Sequence, residues 1–385
     1  MATERRYNQN AYLKTFTAVV RACEKQGNRY AVLLDQTAFF PEGGGQGADL
    51  GTLGGANVID VQETPDRRIL HRTDAPLPVG ETVHGILDWK RRWRHMQDHS
   101  GEHIVSGIVH RLYGYENVGF HLGEDGVTFD FSGELTRSQL DEIERMANEV
   151  IWSNVPVTAY YPEPEELENM SYRSKLELTE NVRIVTIEGV DVCACCAPHV
   201  KHTGEIGLIK LLDFMRHRGG VRVHMLAGTD ALEDYRARYY ASLSVSNMLS
   251  APQSDIAYAV ERSLDQLEAQ RQSAYALRRE LIRVKSEAVP QSDGAVCIFE
   301  NALDTDSIRE IVNAAMERCG LAAAFYGEDG AYRYIIGSRQ HDLRAASKAI
   351  NSALNGRGGG KPNMIQGSSA ATREEIELFF KDYQL

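Results

Sequence analysis

A chain of 385 residues is too long for one ordinary core, so two or three domains are expected. Its apolar and charged shares, 43% and 25%, are those of a soluble globular protein. No run approaches the roughly 18 consecutive apolar residues of a membrane span, and a net charge of −12 speaks against a uniformly basic nucleic-acid-binding surface. The opening MATERRYNQN lacks the apolar stretch of a secretory signal, and six cysteines, three of them between positions 193 and 196, do not make a disulfide framework. A reducing cytoplasm fits this composition.

Residues 1–89 are expected to form a small β-barrel. TFTAVVRAC, YAVLLDQTAFF, ANVIDVQET and RRILHRTD are short alternating or β-branched runs divided by turn residues. The turn PEGGGQG interrupts them. Gly43, Gly44 and Gly45 are costly in a regular strand and point to a backbone that must approach something closely, with the Gln46 amide beside it. No Gly-Lys-Ser/Thr follows, so this is not a P-loop.

Residues 90–233 are expected to be an α+β unit. The spacing predicts a helix over 90–113 that places Met96, His99, His103 and Gly107 on one face. His99 and His103 are four residues apart, so both imidazoles project from one side, as a metal-binding pair does. Cys195 and His199 repeat that step in CACCAPHVKHTGEIG, and two imidazoles with a thiolate and a third imidazole suit tetrahedral zinc. Spacing alone does not choose among these and His95, Cys193 or Cys196. Asp98 points off the face shared by the histidines. Between the half-motifs lie an expected hairpin with its turn at Glu124–Gly126, a helix over 136–153, the strand VTAYYPE, an acidic stretch from Glu163 to Glu180, and the strand VRIVTIEGVD; GEIGLIKLLDFMR and VRVHMLAG follow as strands.

Residues 234–289 change character. Val260, Leu264, Leu267, Ala274, Leu277, Leu281 and Val284 trace the seam of a helical hairpin or coiled coil. Residues 290–385 are expected to be a smaller α/β domain with strands AVCIFE, LAAAFYG and YRYIIGS, helices from Asp304 and Asp342, and caps at Asp306 and Asp342. Its GRGGGKPNMIQG is expected to be a glycine-rich turn, with Arg357 and Lys361 suited to phosphate. Three basic clusters, Lys90 to Arg94, Arg216 to Arg222 and Arg278 to Lys285, are compatible with an RNA partner and equally with solvated charge.

Three segments resemble one family. DQTAFFPEGGGQGADLG resembles the glycine-rich segment of the editing region of alanyl-tRNA synthetases, MQDHSGEH with CCAPHVKHTGEIG resembles that region's two zinc half-motifs, and RGGGKPNMIQG resembles the signature of the synthetase C-terminal domain. The resemblance runs in order from about Tyr12 to the end of the chain. It leaves no length for a class II catalytic domain, and so implies a free-standing alanyl-tRNA editing protein of the long AlaX form. It further implies zinc on His99, His103, Cys195 and His199; Cys196 and Pro198 depart from the family's usual Gly and Thr, which keeps Cys196 open as a substitute ligand. The implied reaction is ester hydrolysis of tRNA(Ala) mischarged with serine or glycine. Gly43, Gly44, Gly45 and Gln46 would form the substrate-facing wall, with Gln46 as the catalytic candidate. The helical linker or the C-terminal domain would bind tRNA or form a homodimer. The competing readings are a non-catalytic tRNA-binding protein with a structural zinc, a zinc hydrolase of a small ester or amide, and a serine-clearing domain of the threonyl type.

Overall fold

The computed structural model describes residues 2–123, 125–174, 182–381 and 383. Glu124, at the expected hairpin turn, and residues 175–181, which take in the end of the acidic stretch, lie outside them. The chain divides into two compact units, Met1–Ser244 and Val245–Leu385.

The first unit begins with a closed six-stranded barrel: β1 Thr15–Gln26, β2 Arg29–Leu34, β3 Gly51–Leu53, β4 Ala56–Glu63, β5 Ile69–Thr73 and β6 Thr82–Leu87. The order around it is β1-β2-β5-β4-β3-β6. Alternation along β6, with Val83 and Leu87 inward, shows why these segments close: each has one apolar face, and closure buries all of them without leaving an edge. YAVLLDQTAFF contributes a barrel strand only as far as Leu34; Gln36–Thr37 pairs instead with Glu4–Arg5, Ala38 and Phe39 pack into the barrel core, and Phe40 packs against Tyr7 and Ala197.

Asp88 then caps a 25-residue helix, α1 Trp89–Tyr113, by accepting from Arg91 N, and Gly114 closes it at φ 68°. Most of α1 is buried from Arg92 to Val109, so it is the axis of this unit rather than a surface helix. Gly107 is there because a Cβ would stand 2.6 Å from the Val190 carbonyl oxygen, and the close approach brings Asp191 to the helix. Around α1 stand β7 Asn117–Gly123, β8 Gly126–Phe131, the helix α2 Arg137–Ser153, β9 Val157–Tyr160, β10 Ile184–Ile187, β11 Asp191–Ala194, β12 Ile209–His217 and β13 Gly220–Ala227. They form an antiparallel sheet of order β12-β13-β8-β7 and a second of order β9-β10-β11. The fold is α+β, as the mixed periodicities imply. The helix α3 Gly228–Leu249 crosses from this unit into the second.

The second unit carries α4 Ile256–Glu287, one 32-residue helix along which Val260, Leu264, Leu267, Leu277, Leu281 and Val284 are exposed. A five-stranded sheet follows, with order β14-β15-β16-β18-β17: β14 Ser292–Phe299, β15 Cys319–Tyr326, β16 Tyr332–Gly337, β17 Gly356–Lys361 and β18 Met364–Ser369. The helices α5 Thr305–Ala315 and α6 Leu343–Ala353 pack on it. Two expectations are corrected here. GRGGGK is not a turn but the edge strand β17, paired from Gly356↔Ser369 to Lys361↔Met364; a partner strand overrides the poor intrinsic strand propensity of glycine. The cap of α5 is Asp304, whose carboxylate accepts from Ser307 N, while Asp342 caps α6 as expected.

The first basic cluster is largely spent inside the protein, and the other two are paired with carboxylates at the surface. Arg92 is wholly buried against Asp49 and donates to the Ala11 and Ala38 carbonyls, Arg91 donates to Ala48 O, and Arg94 pairs with Asp230. Arg216 pairs with Glu134, Arg222 with Asp130, Arg278 with Asp304 and Arg283 with Glu280 and Glu287.

Candidate metal and substrate site

The two half-motifs meet against α1. His99 and His103 project from successive turns of the helix, and the loop after β11 brings Cys195 and His199 to them, so that one ligand atom from each of the four lies within 4.8 Å of the others. Cys195 Sγ is 3.4 Å from His99 Nε2 and 3.3 Å from His199 Nε2. His95 is buried but lies outside this group, and Cys193 groups instead with His103 and Asp191.

Each imidazole is held from behind through Nδ1. His99 Nδ1 donates to Gln46 Oε1 at 2.8 Å, His103 Nδ1 donates to Asp191 Oδ2 at 2.9 Å, and His199 Nδ1 lies 3.0 Å from Ser100 Oγ. Oxygen partners on Nδ1 fix the tautomer and leave the Nε2 lone pairs facing one another and the thiol, which is the arrangement metal-binding histidines require. Asp191 is itself gripped by Arg173 at 2.7 and 2.8 Å. Burial raises the Asp191 carboxyl, but His103 and Arg173 outweigh it and hold it down to about 2.

The electrostatics single out one thiol. Burial raises the Cys195 thiol, yet the surrounding His99 and His199, with hydrogen bonds from His103 and His199, hold it well below the usual thiol range. Burial pushes Cys193 up to about 11, while Cys196 is exposed. Burial likewise drives His199 down to about 3, keeping it neutral. Burial lowers His103, but Cys193, Asp191 and Cys195 raise it well above the usual imidazole range, so it gives up a proton when an ion binds. A thiolate with imidazole nitrogens is a donor set that suits a borderline-soft divalent ion.

The cluster opens into a cavity of about 600 Å³. Its lining includes Gly43, Gly44, His99, Glu102, His103 and Phe120, with Arg5, Arg67, Arg173 and Arg183 also on the wall. Arg183 donates to the carbonyls of Cys195 and Ala197 and so fixes the cysteine-bearing loop.

The glycine turn divides in function. Gly43 and Gln46 exchange backbone hydrogen bonds at 3.0 Å across Gly44 (φ 61°) and Gly45 (φ 84°). Gly45 is pressed onto β7: its carbonyl accepts from Leu122 N, and a Cβ would stand 2.3 Å from Phe120 O. Gly43 and Gly44 reach the cavity, whereas the Gln46 side chain, 1% exposed, faces the back of His99.

Sequence reasoning passed over Glu102, Asp191 and Phe120. Glu102 was within reach, since an i,i+3 step from His99 puts it on the same helical face. Its Oε1 accepts from Ser106 Oγ at 2.5 Å and from Asn117 Nδ2. Asp191 and Phe120 reach the site only through sheet topology, which leaves no local signal.

The family model described as threonyl and alanyl tRNA synthetase second additional domain matches residues 182–223, the segment that carries Cys195 and His199. The model described as tRNA synthetases class II (A) matches residues 6–91, the barrel. The chain is 29% identical over 396 residues to the alanyl-tRNA editing protein AlaX-L of Pyrococcus horikoshii, a match that covers 97% of this chain and 96% of that protein. The similarity to alanyl-tRNA editing proteins thus runs along nearly the whole of this chain. The alanyl-tRNA editing protein Aarsd1 of Danio rerio is 26% identical, again over 97% of this chain and 96% of the relative. The alanine–tRNA ligase of Ignicoccus hospitalis is 29% identical over 98% of this chain, but the chain spans only 42% of that ligase's length.

Proposed function

We propose that the chain is an aminoacyl-tRNA hydrolase acting in trans on tRNA(Ala) mischarged with serine, and on the glycine ester as a second substrate. The observation that carries this reading is the convergence of His99, His103, Cys195 and His199 at the wall of a cavity large enough for an aminoacyl-adenosine end. The similarity to AlaX-L along nearly the whole of both chains supports it. Such an activity answers a physical need, because an alanine pocket cannot reject one added hydroxyl by the margin translation requires.

Zinc would be held by the Nε2 atoms of the three histidines and by Cys195 Sγ, and would supply a fixed Lewis-acidic charge at the cavity wall. The chain's own residues would do the rest. Gly43 and Gly44 present backbone to the substrate without side-chain bulk. The cation of Arg67, at the exposed turn between β4 and β5, suits the terminal phosphate. Glu102, fixed by Ser106 and Asn117, takes a proton from water as the water oxygen adds to the ester carbonyl. The bond to the ribose oxygen then breaks, that oxygen recovers the proton, and free serine and tRNA(Ala) leave. Gln46 acts through His99, by holding its ring. The second unit would contact tRNA or a second copy of the chain, and the exposed apolar seam of α4 supports a role in association.

Deacylation of Ser-tRNA(Ala) beside Ala-tRNA(Ala), with and without chelator, tests the proposal. Chelator-sensitive loss of serine with alanine retained is expected, and Glu102→Gln should lower the rate at least about a hundredfold with metal content unchanged. Binding of tRNA without discharge of either ester would replace this reading with the non-catalytic one.

A further inference from the structure

Two rings on the first two turns of α1, before the metal-facing histidines, and one from the turn preceding β1 form a cluster that the site above does not use. Trp89 and Trp93 stand one turn apart with ring centroids 5.8 Å apart, and Tyr12 meets them at 6.1 and 5.9 Å. On one side the three rings pack against the core of the first unit. On the other, with Lys14, Lys90, Arg94, Thr229 and Asp230, they line a recess of about 420 Å³. Lys14 Nζ lies 4.9 Å over the Trp89 ring and Lys201 Nζ 4.8 Å over the Tyr12 ring. Lys14, Lys90 and Lys201 are exposed, and among the described residues none of them has a carboxylate partner. Half-exposed rings beside unpaired lysines stand out on a protein of net charge −12 whose neighbouring Arg92 and Arg94 are taken up by Asp49 and Asp230.

Stacking faces interleaved with cations are what an unpaired nucleotide strand requires: rings for the bases and ammonium groups for the phosphates. The position fits as well. Trp93 and Trp89 precede His99 by six and ten residues, which is about 9 and 15 Å along the helix axis. At about 3.4 Å per stacked nucleotide, the axial component alone spans three to four nucleotides, with the rings turned roughly 80–120° round the helix from His99. We infer that Tyr12, Trp89 and Trp93, with Lys14, Lys90 and Lys201, form a platform for single-stranded RNA that stacks an unpaired base of the tRNA 3′ tail. The inference rests on the proposed ester substrate for its choice of RNA, and on the recess for its chemistry.

The chain holds three tryptophans, and Trp152 is 70% exposed on α2, so in a full-length Trp152→Phe protein all tryptophan emission comes from the platform. Uncharged tRNA(Ala) should quench that emission, and the same tRNA lacking its last four nucleotides should not. Lys14→Ala with Lys201→Ala, two surface changes, should weaken binding about tenfold and lower the slope of log affinity against log salt by about one and a half. Equal quenching by the truncated tRNA, no quenching at all, or unchanged affinity in the lysine variant would each overturn the platform. Deacylation separates the two proposals. Quenching without hydrolysis sinks the hydrolase reading alone, whereas hydrolysis without quenching sinks the platform alone.

Discussion

Gln46 Oε1 accepts a hydrogen bond from His99 Nδ1 at 2.8 Å, so the amide of the glycine turn stands behind the metal-facing ring. Gln46→Ala should therefore loosen the metal about 10–100-fold, as read by competition with a coloured chelator. Gln46→Glu still accepts from Nδ1 and should keep the metal. If Gln46→Ala loses hydrolysis but retains full metal affinity, the side chain acts on substrate directly.

The glycine turn offers a contrast between neighbours. Gly45→Ala drives a Cβ to 2.3 Å from the Phe120 carbonyl and should displace the turn, cutting deacylation more than tenfold. Gly44→Ala meets nothing within 4 Å and carries only the strain of φ 61°, about 1 kcal/mol. Rate measurements on the two variants check this order.

Arg92 and Asp49 form a fully buried ion pair that ties α1 to the loop between β2 and β3. Removing one charge leaves the other stranded, so Asp49→Ala should cost about 3–5 kcal/mol in urea unfolding of the first unit. Replacing both with apolar residues should cost less than the sum of the single changes.

His71 gives the barrel a pH dependence. It is enclosed between Thr37 Oγ1 at 2.8 Å and Val32 O at 3.3 Å, and burial pushes it down to about 4 from an ordinary 6.5. Because the folded pKa is depressed, the unfolded chain binds the proton first. Barrel stability is then full above pH 6.5 and falls as the pH drops from 6.5 towards 4, by about 3 kcal/mol. His71→Gln should flatten that part of a Tm–pH profile; an unchanged slope would assign the effect to other histidines.

Legibility followed the range of the signal. His99 and His103 share a helix, and Cys195 and His199 share a short loop, so their spacing was visible as local periodicity. The barrel strands and the capped helix Arg137–Ser153 were visible for the same reason. The cluster's supports were not, because Asp191 reaches His103 across 88 positions and Gln46 reaches His99 across 53. The arginines after Asp88 looked like an open basic face because a sequence cannot show that Asp49 and Asp230 fold against them. The lysines left unpaired, Lys14 and Lys201, are isolated in the sequence and gain meaning only beside Tyr12 and Trp89.

The edge strand Gly356–Lys361 carries one more consequence. An outermost strand shows a row of unused N–H and C=O groups, which is a template for runaway sheet growth. Here four of the six residues of the exposed strand are glycine, and the other two are Arg357 and Lys361 near its ends. A second such edge would find few side chains to interlock and two like charges to repel it. The second unit thus keeps an accessible backbone ladder while discouraging fibril-like stacking, so the chain should remain dispersed at concentrations where an apolar edge of that length would aggregate.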